Sequence, residues 1–94
     1  MALLFEWDLN KASGNVKKHG ITFDEASTAF QDPISITISD PAHSKVEERF
    51  VLLGCSYRYR LLVVVHTERG EHIRIISARA ATKKEKSQYE ESKE

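Results

Sequence analysis

The sequence has little of several residue types on which common functional sites depend. Its 94 residues include one cysteine, Cys55, which excludes an internal disulfide and a thiolate zinc cluster. The four glycines are well separated, so no glycine-rich loop is available to surround a phosphate. No apolar run approaches the roughly 18 residues that a membrane-spanning helix needs. These absences point away from nucleotide cofactors and membrane insertion.

The first residues also lack the features of a targeting signal. Glu6 and Asp8 interrupt the short apolar run at residues 2–5, whereas a secretory signal has a basic region followed by an apolar stretch. We therefore expect a cytoplasmic protein. A chain of this length is expected to form a single domain over residues 1–94, with residues 90–94 as a frayed tail.

The chain carries no net charge, yet its charges are unevenly placed. Residues 49–84 contain every arginine and are strongly basic, whereas residues 1–48 and 85–94 are acidic. Arginine has a planar fork that pairs with phosphate at two points, so one interpretation is a surface for a polyanion. The other interpretation is ordinary solvated surface, because charges separated along a sequence need not stay separated in space. Composition alone leaves both open.

Capping signals and apolar periodicity predict three helices. The segments Thr22-Phe23-Asp24-Glu25 and Thr82-Lys83-Lys84-Glu85 both have the spacing of a reciprocal capping box. Gly20 can adopt the left-handed conformation that ends a helix, and Pro33 cannot continue one. The predicted helices cover residues 10–19, residues 22–32 and a short final segment that begins at residue 82.

Alternating and β-branched apolar runs predict five strands. Ile34, Ile36 and Ile38 alternate with polar residues, which is typical of a strand with one wet face, and we expect this strand at a sheet edge. Gly70 predicts a tight hairpin within residues 68–71. The predicted strands cover residues 3–7, 34–39, 50–55, 60–67 and 72–78, and a polar loop follows the second of them from Asp40 to Lys45.

The order of these elements predicts an α+β fold. Four successive strands joined by short loops form an antiparallel meander, with two helices before it and one after it. We expect a two-layer sandwich with a mainly antiparallel sheet and the helices gathered on one face. The first strand is separated from the others by two helices, which allows it to pair in parallel with a later strand.

The predicted hairpin register brings cations together. It places Arg60 opposite Arg79, on one face with Ser77 and His66, and it places Arg74, Thr67 and His72 on the other face. Two opposed arginines repel unless they splay into solvent, meet an acid such as Glu48, or hold a phosphate between them. For Arg74 the alternatives are an ion pair with an acid from a neighbouring strand or a functional role.

The four histidines do not form a metal site by any familiar spacing. No two of them lie three or four residues apart, and the predicted register puts His66 and His72 on opposite faces. No serine follows the pattern of a nucleophile elbow. We expect neither a metal nor another cofactor.

A set of short motifs follows in order along nearly the whole chain. It comprises Trp7-Asp8, Asn15, Lys18-His19-Gly20-Ile21, Phe23, Ala26, Phe30, Asp32, Glu48-Arg49, Gly54, Val63-Val64-Val65, Arg74-Ile75-Ile76-Ser77-Ala78-Arg79, Glu85 and Tyr89. Together these motifs resemble the BrnT toxins of bacterial type II toxin-antitoxin pairs. The resemblance implies a RelE-like fold and a metal-independent endoribonuclease that cleaves RNA and arrests translation and growth. It also implies inhibition by a separately encoded, DNA-binding antitoxin of the BrnA type.

Metal-free cleavage of RNA needs three kinds of group. A base deprotonates the 2′-hydroxyl, a cation stabilises the charge that develops on the phosphate, and an acid protonates the leaving 5′-oxygen. By the resemblance we assign His19 or Glu48 to proton transfer, Arg49, Arg74 and Arg79 to phosphate binding, and Tyr89 to an orienting or acidic role. Five further cations are expected to follow the RNA backbone: Lys17, Lys18, Arg60, Lys83 and Lys84.

A binding module without catalysis is the competing hypothesis. In that case the cationic strands hold an acidic segment of the antitoxin, and the pair binds operator DNA through the partner. RNA left intact by the purified protein favours this alternative. The sequence leaves open whether the chain also forms a homodimer.

Overall fold

A computed structural model describes residues 3–40 and 47–92. In chain order the elements are β1 (Leu4–Glu6), α1 (Leu9–His19), α2 (Phe23–Thr28), a 3-10 turn (Ala29–Gln31), β2 (Ile36–Ser39), β3 (Arg49–Cys55), β4 (Leu61–Arg69), β5 (His72–Ala80) and α3 (Lys83–Glu91). The predicted α+β class is confirmed. The loop predicted after Asp40 lies largely in residues 41–46, outside the described residues. Glu90 and Glu91 belong to α3, and a frayed tail beyond them stays a prediction.

The five strands form one sheet in the order β1-β5-β4-β3-β2. The three pairings among β2, β3, β4 and β5 are antiparallel, whereas β1 pairs in parallel with β5. The edge position predicted for the second strand is therefore confirmed. The parallel pairing of β1 is possible because α1 and α2 carry the chain back across the sheet before the meander begins.

Both ends of α1 follow the local capping chemistry. The Asp8 side chain accepts a hydrogen bond from the backbone N–H of Lys11 at 3.0 Å, and Gly20 ends the helix with a φ of 70°. The last turn carries Lys17, Lys18 and His19, where cations are favoured by the helix dipole.

The two predicted capping boxes have different outcomes. At α3 the box is complete, because Thr82 accepts from the N–H of Glu85 and the Glu85 carboxylate accepts from the N–H of Thr82. At α2 only half of it forms: Thr22 accepts from the N–H of Glu25 at 3.0 Å. The Glu25 carboxylate is buried and bonded to Arg60 instead. The prediction of a reciprocal box at α2 is wrong for this reason.

The β4–β5 hairpin has the predicted tight turn but not the predicted register. Gly70 has a φ of 60°, and only residues 70 and 71 separate the strands. Arg69 pairs with His72, so Arg79 lies opposite Val63 and not opposite Arg60. Between Val65 and His66 the β4–β5 register shifts by one further residue, because β5 has a β-bulge there. The predicted pair of opposed arginines does not exist.

The larger core lies between the sheet and the two N-terminal helices. Leu52, Leu62, Val64, Ile75 and Ala78 point from the strands toward α1 and α2, and we call this side of the sheet the near face. The alternate strand residues Leu53 and Val63 point to the opposite side, which we call the far face.

Helix α3 packs on the far face. Its buried residue Tyr89 contacts a second, smaller apolar cluster with Leu53 and Val63. The expectation that all helices gather on one face is therefore wrong for α3. Only one apolar side chain of this helix is large enough to anchor it, so α3 covers part of the far face and leaves the rest open.

Asn15 joins α1 to the sheet. Its side-chain nitrogen donates to the carbonyls of Ile21 and Ala78 at 2.9 and 2.8 Å, and its oxygen accepts from the N–H of Ala78 at 3.1 Å. Strand β1 is too short to pair with β5 beyond Arg74. The Asn15 amide therefore takes the place of a neighbouring strand at Ala78, and it fixes α1 on the near face.

Candidate functional site

A row of polar side chains crosses the far face of the sheet. Arg49 pairs with Thr67, Thr67 pairs with Arg74, and Arg74 pairs with Glu6, so four strands contribute one residue each. Arg49, Arg74 and Glu6 are half-buried, and Thr67 is fully buried between the two arginines. The sheet thus places two predicted phosphate-binding residues on one surface, where β4 is the only strand between them.

The β-bulge brings the third predicted arginine to the same face. Arg74 and Arg79 are five positions apart, so regular alternation would point them to opposite sides of the sheet. Ile76 is the extra residue, because Ile75 pairs with His66 and Ser77 pairs with the next residue, Val65. Arg74, Ser77 and Arg79 therefore all point to the far face. The β4 partners of the two arginines, Thr67 and Val63, are four residues apart, so the two arginines are about 13 Å apart along the strand.

On the far face, Arg69, Arg74 and Arg79 each have a carboxylate partner. Arg74 donates to Glu6 at 2.8 Å, which confirms an ion pair with an acid from a neighbouring strand. Arg69 binds both oxygens of Glu47, at 2.9 and 3.1 Å. Arg79 binds both oxygens of Glu85 at 2.8 Å.

The partner of Arg79 is held strongly in its charged form. Hydrogen bonds from the Arg79 guanidinium, opposed by burial, are the largest influence on Glu85 and lower the pKa of its carboxyl to about 2. The same contact raises the pKa of Arg79. The side chains keep 42% and 25% of their surface exposed, for Arg79 and Glu85 respectively, so solvent and solutes reach the pair.

Thr67 is unusual within the polar row. Its hydroxyl is buried and has no hydrogen-bond partner among the residues that the structure describes. The cost of such a group is tolerated at few positions in a protein interior. It lies at the centre of the row, next to both arginines.

An apolar groove lies beside this row of polar side chains. It has a volume of about 380 Å³ and lies between β2 and α3. Its lining residues are Ile36, Ile38, Val51, Leu53, Val63, Glu85 and Gln88. The far face therefore combines partly exposed cations with an apolar groove.

The cations at the end of α1 do not join this surface. Lys17, Lys18 and His19 are exposed at the end of a helix that packs on the near face, so the sheet separates that helix from the arginine row. His19 was grouped with the arginines by the family resemblance, and the sequence does not indicate on which side of the sheet the helix packs.

Glu48 does not belong to the row of polar side chains either. It is exposed at the residue before β3. Its neighbour Glu47 does contact a far-face arginine, Arg69.

Arg60 lies at a buried ion pair and not on the far face. It donates from Nε to Glu25 at 2.8 Å and from a terminal nitrogen to the other oxygen of the same carboxylate. Glu25 is 2% exposed and also accepts from the Ser56 hydroxyl at 2.7 Å. The hydrogen bonds from Arg60 lower the pKa of Glu25. These contacts attach α2 to the turn before β4.

Tyr89 is buried, and its hydroxyl already makes a hydrogen bond within the fold. It donates to Asp32 at 2.5 Å, and the same oxygen of Asp32 accepts from the N–H of Cys55 at 2.8 Å. Burial and the bond to Asp32 raise the pKa of the Tyr89 hydroxyl far above its ordinary value. Lys83 and Lys84 are exposed in the first turn of the same helix.

The histidines of the hairpin have different environments. His66 points to the near face and is buried against Phe30 and Phe50, with ring centroids 4.8 and 5.8 Å away. Burial lowers the pKa of His66. His72 is exposed on the far face, as predicted with Arg74 and Thr67. The described residues contain no group of three or more His, Cys, Asp or Glu side chains that could hold a metal ion.

The sequence analysis places His72 on one face with Arg74 and Thr67 but does not include it among the candidate site residues. Its two-residue spacing from Arg74 on one strand is the signal that could have added it.

A comparison with protein families decides the family of the chain. Residues 7–85 match the model of a family described as the ribonuclease toxin BrnT of type II toxin-antitoxin systems. The chain belongs to this family. The match covers every predicted site residue except Tyr89. Membership of the BrnT family implies an antitoxin partner.

A solved BrnT structure has the same fold. The crystal structure of the Brucella abortus ribonuclease toxin BrnT, determined at 1.1 Å, superimposes with a TM-score of 0.64 and 21% sequence identity. The similarity covers 87% of this chain and 100% of that chain. A comparison with curated proteins finds no match. No helix within the described residues is long and apolar enough to cross a membrane.

Proposed function

We propose that this BrnT-family chain is an endoribonuclease that cleaves RNA without a divalent metal, arrests translation and growth, and binds RNA on the far face of its sheet. The observation that carries the proposal is the placement of Arg49, Arg74 and Arg79 on one partly open surface of three adjacent strands. Arginine is the side chain best suited to bind phosphate by two hydrogen bonds.

Phosphate binding by this face has a simple physical basis. Arg49 and Arg74 flank the buried Thr67 hydroxyl. A hydroxyl can both accept and donate a hydrogen bond, and this one has no partner in the described part of the protein. A phosphate above Thr67 would lie between two cations that stabilise the charge gained in the transition state. Arg79 extends the cationic surface toward α3, where Lys83 and Lys84 are exposed.

We assign proton transfer to His72 in preference to His19 or Glu48. His72 lies two residues from Arg74 on the same face, about 7 Å along the strand, and its imidazole is exposed. Histidine can take the proton from the 2′-hydroxyl and can return a proton to the leaving oxygen. His19 belongs to a helix packed on the near face, so it is the weaker candidate.

Two residues assigned to the site from the sequence have structural roles in this proposal. Arg60 neutralises the buried Glu25, and the Tyr89 hydroxyl holds Asp32. Neither group is available to a substrate without the loss of a hydrogen bond inside the fold. Lys17 and Lys18 are left as possible contacts only for an RNA long enough to pass the sheet edge.

We further propose that the antitoxin is of the BrnA type and covers the far face with an acidic segment. The same arginines that bind phosphate are complementary to carboxylates, as Glu6 and Glu85 already show within the chain. A partner placed there would exclude RNA.

The activity is tested by incubating the purified protein with RNA in the presence of a chelator. We expect fragments that end in 2′,3′-cyclic phosphate, as attack by the 2′-hydroxyl requires. A control without protein and a second with added magnesium establish the background. Cleavage that is absent in chelator and restored by magnesium contradicts the metal-independent proposal. RNA left intact under all conditions favours the binding module without catalysis.

A further inference from the structure

We infer that Glu85 competes with RNA phosphate for Arg79, so that α3 holds Arg79 until nucleic acid displaces this carboxylate. The inference rests on the proposed function, because it concerns the same RNA-binding face. It differs from the proposal above in assigning a regulatory contact within the chain itself.

The geometry of the contact is that of a bound anion. The two terminal nitrogens of Arg79 donate to the two oxygens of Glu85, each at 2.8 Å, and one of them also donates to the carbonyl of Ala80 at 3.2 Å. This is the two-point arrangement in which a guanidinium binds phosphate. A phosphate bound at the terminal nitrogens and the Glu85 carboxylate would therefore occupy the same positions.

The contact lies where a phosphate can reach it. Arg79 keeps 42% of its side-chain surface exposed. Of the other two-point pairs described above, Arg69 with Glu47 is also exposed, whereas the Glu25 carboxylate bound to Arg60 is only 2% exposed. Ion pairs at exposed positions are weak and are screened by salt, so an incoming anion can replace one of the partners.

Helix α3 also has few other contacts that hold it in place. Tyr89 is its only buried residue, and the Tyr89 hydroxyl donates a hydrogen bond to Asp32. Glu85 lies in the first turn, next to Lys83 and Lys84. A small movement of this turn would release Arg79 and leave two lysines beside the bound phosphate.

Glu85→Gln tests the competition directly. Glutamine is accepted at this position of a capping box, so the start of α3 is retained while the charge on Arg79's partner is removed. We expect binding to a 2′-O-methyl RNA oligonucleotide, measured by fluorescence anisotropy, to tighten about three- to fivefold. The dependence of log affinity on log salt should steepen by about 0.7, as for one additional phosphate contact.

Two controls separate this effect from general repulsion and from misfolding. Glu90→Gln removes the same charge from an exposed position of α3 that makes no ion pair with the described residues, and we expect unchanged affinity. Melting temperatures show whether Glu85→Gln is folded. If Glu85→Gln is not folded, RNA affinity is measured instead for Glu85→Asp, which keeps the negative charge but shortens the side chain that reaches Arg79.

The decisive experiment introduces Glu85→Gln into the Arg79→Ala protein, where we expect no increase in RNA affinity. Tightening that persists without Arg79, or a Glu85→Gln protein that binds no better than the unchanged protein, overturns the inference and leaves the proposed function in place. If none of the variants binds RNA, the proposed function fails as well. Binding that appears only after Glu85→Gln supports both.

Discussion

At the scale of single residues, similar side chains of this chain have opposite roles because of what they contact. Arg60 and Arg79 each bind both oxygens of a glutamate, but one glutamate is buried and the other is partly exposed. His66 is enclosed by aromatic rings, whereas His72 is exposed among arginines. The residue types alone do not distinguish these cases.

The two candidate histidines are separated by a matched pair of substitutions. We expect His72→Ala to lower the rate of RNA cleavage by about 10²- to 10⁴-fold, as for loss of a proton-transfer group, with unchanged melting temperature. His19→Ala, at a position that is also exposed, should leave the rate nearly unchanged. The reverse result would place the reaction on the near side of the molecule.

Arg60→Ala is expected to destabilise the protein. It leaves the carboxylate of Glu25 buried with no cation beside it, which costs about 2–3 kcal/mol in unfolding free energy. Arg58→Ala, at a neighbouring exposed position, should change stability by less than about 0.5 kcal/mol. Urea unfolding measures both. Equal losses would show that Arg60 is not a structural residue, and Glu25→Gln should recover part of the loss in the Arg60→Ala protein.

Asn15→Ala is expected to be costly for a different reason. It removes three hydrogen bonds and leaves backbone groups of Ile21 and Ala78 without partners in a buried position, at a cost of about 2–4 kcal/mol. Asn10→Ala, on an exposed part of α1, serves as the control. A loss below about 1 kcal/mol for Asn15→Ala would mean that water replaces the amide at the sheet edge.

At the scale of helices and strands, local chemistry predicted most elements and failed where a tertiary contact prevailed. The half-formed capping box at α2 is one example, since Glu25 binds Arg60 and not the backbone of Thr22. The β4–β5 register is another, because neither a two-residue turn nor a bulge at Ile76 has a distinct signal in an apolar β-branched run. That bulge decides which face Arg79 occupies.

The contact between α3 and β5 is expected to depend on pH. The pKa of Glu85 is about 2 in the folded protein and near 4.5 when unperturbed. A carboxyl whose pKa falls on folding stabilises the fold above its unfolded pKa and loses that contribution as pH falls through the folded value. The stability difference between the unchanged protein and Glu85→Gln should therefore be largest above pH 4.5 and disappear near pH 2. A difference that is constant with pH would show that the charge of Glu85 is not the cause.

At the scale of the whole molecule, the fold class and the family could be inferred from the sequence, but the site could not. The order of elements and the motifs from Trp7 to Tyr89 were sufficient for the first two. The division of cations between two faces depends on the side on which α1 packs, which Asn15 decides through a contact with Ala78. Contacts between residues so distant in the chain leave no local pattern.

The sheet also divides the basic stretch into far-face arginines, which we propose bind RNA, and an arginine that supports the fold. Of the arginines in residues 49–84, Arg49, Arg69, Arg74 and Arg79 point to the far face, while Arg60 supports α2. The segregation of charge along the sequence is partly neutralised in space, because Glu47, Glu6 and Glu85 from the acidic segments pair with Arg69, Arg74 and Arg79 on the far face.

The most direct measurement of this division is RNA affinity in two charge-matched double variants. One carries Arg49→Gln and Arg74→Gln on the far face, and the other carries Lys17→Gln and Lys18→Gln at the end of α1. Each loses two positive charges, so non-specific attraction falls equally, and melting temperatures confirm that both are folded. We expect the far-face variant to lose at least about tenfold in affinity and to show a salt dependence lower by about 1.4, while the other stays close to the unchanged protein. Equal losses, or a larger loss in the α1 variant, would contradict RNA binding by the far face.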